Sequence, residues 1–276
     1  MNIYLHLEII SRELDSKILL ATLAASKGHE VVISDIESIE KGLRRGALSP
    51  GIFHTKSLTP SKVKIALHQA LIKKGVLITS IDEEGRLVID GYDDFAKIRY
   101  SDQTIKDSSA IFGWGTEDID SLKKIYPKYL SKLHKTGSPR ADMWKSSFIN
   151  YWGIPKKMPK KPFLLVVSNM TYANSILPFH KIISSYREKG YFKYDSELLT
   201  KNFGMASEHY LTTAAFIKGI KYLAKFNKGY EIVLRPHPAE KVESWKDYLN
   251  DIPNVHVIRE GSITPWVNNS FAVMHN

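Results

Sequence analysis

The chain has 276 residues, 43% of them hydrophobic, and no cysteine; 39 Lys and Arg against 29 Asp and Glu give a formal charge of +10. That length suits two domains, and the apolar content excludes a disordered chain. Without cysteine there is no disulfide framework or thiolate metal site, and no apolar run reaches the ~18 residues of a membrane span.

The positive surplus suits anionic partners. Apart from KKMPKK at 156–161 the lysines are scattered, and no aromatic and basic RNA motif accompanies them, so no nucleic acid is expected. The charge admits peripheral contact with an anionic membrane. The first strand begins too near Met1 for a signal peptide, so the expected location is the cytoplasm, extending to the inner face of its membrane.

Short apolar runs alternating with helical patterns predict βαβ units around parallel sheets. Residues 2–8 (NIYLHLE) read as the first strand. A helix from Leu14 to Lys27 follows, with Leu14, Ile18, Ala21 and Ala25 on its inner face and Gly28 closing it. EVVISD at 30–35, GIFHTKS at 51–57 and GVLITSI at 75–81 are further strands, the last two separated by a helix entered near Pro60. AIFGWG (110–115) and LHKTG (133–137) complete a first domain, residues 1–152. GIPKKMPKKP (153–162), with three prolines and four lysines, reads as a linker.

A second domain, 163–276, opens with FLLVVSN. Its helix from Glu208 to Asn227 carries Phe216, Ile220 and Leu223 inward and Lys218, Lys221 and Lys225 outward, with Gly229 stopping it. YEIVLRP, VHVIRE and FAVMHN are its further strands. The chain ends at Asn276 directly after an apolar strand, which reads as an incomplete second domain because a parallel sheet is normally covered on both faces. The fold class is therefore α/β, two Rossmann-like domains facing across a cleft.

Ligands of open parallel sheets bind beyond the carboxyl ends of the strands. At those ends stand Glu8, Ser11, Arg12 and Glu13; His54, Lys56 and Ser57; Asp82, Glu83 and Glu84 before Gly85; and TGSPRAD at 136–142. Three adjacent carboxylates repel one another, which raises the pKa of any that is buried and suits it to accept a proton from a hydroxyl. The same triplet also reads as a polar turn into a short hairpin strand, RLVID at 86–90. In TGSPRAD, Gly137 relaxes the backbone and Pro139 starts a helix whose Arg140 can hold a phosphate or carboxylate. Alternatively Arg140 and Asp142 form a surface pair. In RPHPAEK (235–241), Pro236 holds Arg235 extended and Pro238 suits the first position of a helix with Glu240 and Glu243 in its opening turns. His237 then stands at a helix mouth, as a phosphate ligand or as a simple cap.

LEIISRELDSKILLATLAASKGHEV, GWG, KTGSPRAD and RPHPAEK together resemble the bacterial surface carbohydrate biosynthesis protein family, in order along nearly the whole chain. Those proteins are GT-B-like. An acidic pair before glycine and a His-Pro pair are likewise the short signatures of bacterial sialyltransferases, and related elements occur in Kdo transferases and CDP-glycerol polymerases. The resemblance implies a glycosyltransferase of surface polysaccharide synthesis, moving an acidic sugar from a CMP-activated donor to a glycan or lipid-linked acceptor, with no metal and no other cofactor. Glu83 is then the base, beside Glu84. His237 and Pro238 contact the donor phosphate, with Arg235, Glu240 and His275 completing the candidate nucleotide set. Glu8, Ser11, Arg12, Glu13, His54, Gly137, Arg140 and Asp142 are candidates for sugar or acceptor, and Arg12 or Arg140 for the sugar carboxylate. The family's Ser/Thr-rich phosphate turn would follow a strand like FAVMHN, where this chain stops. The alternatives are a polyol-phosphate transferase, a nucleotide-sugar epimerase, or a non-catalytic nucleotide- or glycan-binding component of an assembly system.

Overall fold

The computed structural model describes residues 1–85, 91–188, 196–226 and 229–276. The predicted hairpin strand 86–90 and the helix end at Asn227 lie outside those residues. The chain divides into two compact units, Met1–Ile149 and Asn150–Asn276. Among the described residues no helix is long and apolar enough to cross a membrane.

The first unit runs β1 (Asn2–His6), α1 (Ile10–Ala25), β2 (Glu30–Ser34), α2 (Ile36–Arg45), β3 (Gly51–Thr55), α3 (Lys62–Ile72), β4 (Leu77–Ile81), α4 (Tyr92–Arg99), α5 (Asp102–Asp107), β5 (Ala110–Gly113), α6 (Thr116–Ile125), β6 (Leu133–Lys135) and the single turn α7 (Pro139–Asp142). All strands are parallel, in the order β2-β1-β3-β4-β5-β6. The order reverses between β1 and β3, which opens a crevice at their carboxyl ends. Gly51 lets β3 begin so near β1: a Cβ there would lie 2.2 Å from the Asn2 carbonyl oxygen.

Alternation along the strands sends Tyr4, Phe53, Ile78 and Ile111 to one face, where they pack with Ile39, Leu43, Leu71, Ile105, Ile119 and Leu122 of the helices. Local chemistry sets the helix starts. Asp35 and Ser61 cap α2 and α3, and Ser101 with Thr104 forms a capping box on α5.

Helix α1 departs from the sequence expectation. It begins four residues earlier, and its predicted inner face is turned away: Ile18 and Ala25 are exposed, whereas Glu13, Ser16 and Lys17 are buried. The apolar periodicity pointed the wrong way because this helix turns charged residues, not aliphatic ones, towards the strand ends.

The second unit runs β7 (Phe163–Ser168), α8 (Phe179–Glu188), α9 (Ser196–Phe226), β8 (Glu231–Pro236), α10 (Val242–Leu249), β9 (Val255–Val257), α11 (Thr264–Asn269) and β10 (Ala272–His275). Its sheet is parallel, in the order β10-β7-β8-β9. Leu164, Val166, Ile232 and Leu234 pack with Ile220 and Trp245, while Phe163, Leu165 and Val233 pack on Trp266. Within α9, Ile220 is buried and Lys218, Lys221 and Lys225 are exposed, as the periodicity predicts. Residues 153–162, read as a linker, belong to this unit, where Met158 packs beside Trp266 and the Pro162 carbonyl accepts from the Glu231 amide.

Three histidines of the first unit are buried: His6, His54 and His68. His54 Nδ1 lies 2.9 Å from Thr79 Oγ1, while neither nitrogen of His68, edge-on to Phe53, has a partner among the described residues. Burial, followed by the nearby lysines, holds His6 and His68 down at about 4 and His54 at about 3. The folded values lie below the unfolded one near 6.5, so the unfolded chain binds protons first, and stability falls as pH drops from 6.5. At pH 5 the loss is about 2 kcal/mol per histidine. Urea unfolding followed from pH 7.5 to pH 5 should show this decline. His68→Leu should raise stability at pH 7.5 by about 1–2 kcal/mol, because two unpartnered ring nitrogens are removed, and should flatten the acid limb.

Candidate functional site

The carboxyl ends of β1, β3 and β4 converge on an ionic network. Five carboxylates, Glu8, Glu13, Asp82, Glu83 and Glu84, meet the cations Arg12, Lys17, Lys56, Arg99 and Arg140. At its centre Lys17 Nζ donates to Glu83 Oε1 at 2.8 Å, with the side chains only 1% and 5% exposed. The other Glu83 oxygen lies 3.9 Å from Arg140.

The turn that carries Glu83 is fixed from several sides. Arg99 donates to both Asp82 oxygens at 2.8 Å and to Glu84 at 3.2 Å. The Trp114 indole N–H donates to the Asp82 carbonyl at 2.7 Å, and a Cβ at Gly85 would lie 2.8 Å from the Trp114 ring. The Glu83 amide donates to the Lys56 carbonyl at 3.0 Å, and Arg140 donates to the Glu83 carbonyl at 2.9 Å. The three adjacent carboxylates therefore do not share a charge. Asp82 and Glu84 are both held by Arg99, whereas Glu83 faces Lys17 and Arg140.

Glu13, four residues before Lys17 and so on the same side of α1, is the second hub. It accepts from the Glu8 and Ile9 amides at 3.0 and 3.3 Å, from Arg12 at 2.9 Å and from Lys56 at 3.2 Å. Burial works against its charge, but these donors outweigh that and hold it down at about 2. Glu8 reaches Lys56 at 2.5 Å.

The remaining candidates of the first unit stand apart from the network. Ser11 is exposed in the first turn of α1. His54 points into the sheet face, tilted against Phe112. Gly137 has φ 85° and donates to the Gly113 carbonyl, which sets the entry to α7. Asp142 pairs with Lys145 at 2.5 Å, and not with Arg140.

In the second unit the RPHPAEK segment forms a turn, not the predicted helix start. α10 begins only at Val242, so neither Pro238 nor His237 stands at a helix mouth. What fixes the turn is Glu240, which is fully buried. It accepts from Ser168 Oγ, the Met170 and His237 amides, Asn174 Nδ2 and the Trp245 indole, the last at 2.7 Å. All of these donors are neutral. Glu240 is thus turned inward, away from the ligand-facing place proposed for it. Arg259 closes the turn from outside, donating to the carbonyls of Pro238 and Glu240 at 3.1 and 2.8 Å.

His237 Nδ1 accepts from the Ala239 amide at 3.1 Å, so its neutral ring carries the proton on Nε2. Arg235 is largely occupied. It donates to the Glu260 and Gly261 carbonyls at 2.9 and 2.8 Å and lies 5.1 Å above the Trp266 ring. Burial pushes its pKa down to about 10. His275, exposed on β10, is paired with Val167 across the sheet, and its ring nitrogen Nδ1 lies 3.4 Å from the Asn276 carbonyl oxygen.

Sequence reasoning missed Lys17 and Arg99. Lys17 carried a readable signal, an ammonium one helical turn after Glu13 inside an aliphatic stretch; Arg99 carried none. Among the described residues no cluster of three His, Asp or Glu side chains is arranged to hold a metal ion.

No family model and no curated protein matches the chain. Solved structures do. The S. aureus MnaA–UDP co-structure has a TM-score of 0.56 at 12% identity, covering 100% of this chain and 73% of that one. A UDP-N-acetylglucosamine 2-epimerase has 0.55 at 11%, covering 99% and 72%. The Streptococcus pneumoniae accessory secretory protein 1, 2 and 3 structure has 0.39 at 14%, covering 87% and 38%. The first two place the chain among GT-B-like α/β folds with two parallel sheets.

The network makes a direct prediction about stability. Lys17→Met strands a buried Glu83 and should cost about 3–5 kcal/mol. Adding Glu83→Leu should recover most of that, because the buried charge goes with its partner. Urea unfolding of the single and double variants measures both steps, and simple additivity of the two losses would show that the ion pair is not coupled.

Proposed function

We propose that the chain is an enzyme acting on a nucleotide-activated sugar, and that it transfers an acidic sugar from a CMP-linked donor to a glycan hydroxyl. The observation that carries this reading is Glu83: a carboxylate 5% exposed, backed by Lys17, beyond the carboxyl end of β4 and one strand from the reversal of an open parallel sheet. In the reaction the acceptor O–H gives its proton to Glu83 as the oxygen bonds to the anomeric carbon. The bond from that carbon to the donor phosphate breaks, and the nucleotide leaves with its electron pair. Lys17 and Arg140 steady the Glu83 carboxylate before transfer. His237 Nε2–H is the donor offered to a phosphate oxygen.

The UDP-bound and epimerase folds favour a second reading, epimerisation of a nucleotide sugar. The adjacent ammonium and carboxylate of Lys17 and Glu83 could remove a proton from a sugar carbon and return it. Product analysis with CMP-, CDP- and UDP-linked sugars in D2O separates the two. Transfer requires an acceptor and leaves the sugar carbons unlabelled, whereas epimerisation needs no acceptor and incorporates deuterium. In either case Glu83→Gln should lower kcat by about 10²–10⁴-fold, and His237→Ala should raise the KM for the nucleotide substrate. Wild-type kinetics in Glu83→Gln would remove the carboxylate from the mechanism.

A further inference from the structure

We propose that the Lys64 ammonium and the Ser57 hydroxyl form a subsite for an anionic group, a phosphate or a carboxylate, on the ligand handled at Glu83. Every other cation of the network has a carboxylate within 4.0 Å. Among the described residues Lys64 has none: its Nζ donates to Ser57 Oγ at 2.8 Å, a neutral partner. A half-buried ammonium bonded only to a hydroxyl has lost water without a carboxylate in direct contact. Burial, then Arg99, holds its pKa below the usual lysine range, and the more distant carboxylates Asp82 and Glu8 only partly offset this.

Its position on α3 adds to the imbalance. Lys64 lies in the first turn beside Lys62, with no acidic residue there, so the positive end of the helix dipole opposes it. A bound anion relieves both costs. Ser57 is 4% exposed and accepts from Lys64, which leaves its own O–H to donate, with no acceptor among the described residues. The subsite adjoins the candidate base, because the Glu83 amide is bonded to Lys56, the residue before Ser57. By contrast, the two guanidiniums nominated for a sugar carboxylate are already matched: Arg12 to Glu13 and Arg140 to Glu83.

The identity of the ligand rests on the sugar-nucleotide reading; the subsite itself does not, and equilibrium binding tests it without turnover. Calorimetry of the full chain with inorganic phosphate and, separately, with N-acetylneuraminate should show saturable binding of at least one. Lys64→Met should weaken it by about tenfold or more, the worth of one charge-assisted hydrogen bond. Lys64→Arg should keep it, as should Lys73→Met, an exposed control. Binding of phosphate alone assigns the subsite to the nucleotide, and binding of the sugar acid alone assigns it to the sugar. In lysine-labelled wild-type protein the Lys64 side-chain resonance should shift on addition of the bound probe, which keeps the test independent of how the variants fold. Absence of binding by both probes, or equal binding by Lys64→Met, overturns the proposal. Binding without turnover of any nucleotide sugar would instead overturn the enzymatic reading and leave the subsite standing.

Discussion

The first unit is organised around a lysine and a glutamate buried against each other where the sheet order reverses. Removing two ions from water costs several kcal/mol each, and their mutual attraction seldom returns more than that. The pair is therefore a poor means of stabilising a fold, and two well-packed aliphatic side chains would serve as well. Its arrangement makes sense as a constraint. With Lys17 holding one oxygen and Arg140 near the other, Glu83 has little freedom, and the Arg99 fork does the same for Asp82. Charge balance here dictates geometry: one helix, two strand exits and one short turn must all be in register for no carboxylate to be stranded.

The second unit solves a similar problem differently. Among the described residues the Glu240 carboxylate has no ion-pair partner, and it is held by hydroxyl, amide and indole donors from three separate segments. Each buried oxygen accepts from more than one neutral donor, which satisfies the carboxylate without a counter-charge. The His-Pro turn thereby gains a single shape, and with it a single imidazole tautomer.

Much of this architecture was legible in advance, for physical reasons. Apolar runs bounded by glycine and polar residues marked the ten strands of the described residues, and the rule that parallel sheets bind ligands at their carboxyl ends pointed to Glu8, Arg12, Glu13, Glu83 and Arg140. What was not legible came from positions where tertiary context overrides local pattern. The aliphatic residues of α1 imply one inner face, yet the face that is buried carries Glu13 and Lys17, because Lys56 and Glu83, distant in sequence, meet them there. Pro238 suits a helix start, yet Glu240 bonds the His237 amide and holds the turn open until Val242. Arg99, at the end of an ordinary amphipathic helix, has no local feature that distinguishes it from Lys97.

Each of these two constrained turns touches an indole. Trp114 is bonded to the peptide carbonyl before Glu83, and Trp245 to the carboxylate beneath His237. Because indole emission responds to hydrogen bonding and polarity around the ring, two of the five tryptophans stand as built-in optical reporters of these turns. A local rearrangement at either turn would register as a spectral change without any attached dye, and the difference between wild type and Trp114→Phe or Trp245→Phe would isolate each contribution from the other three indoles.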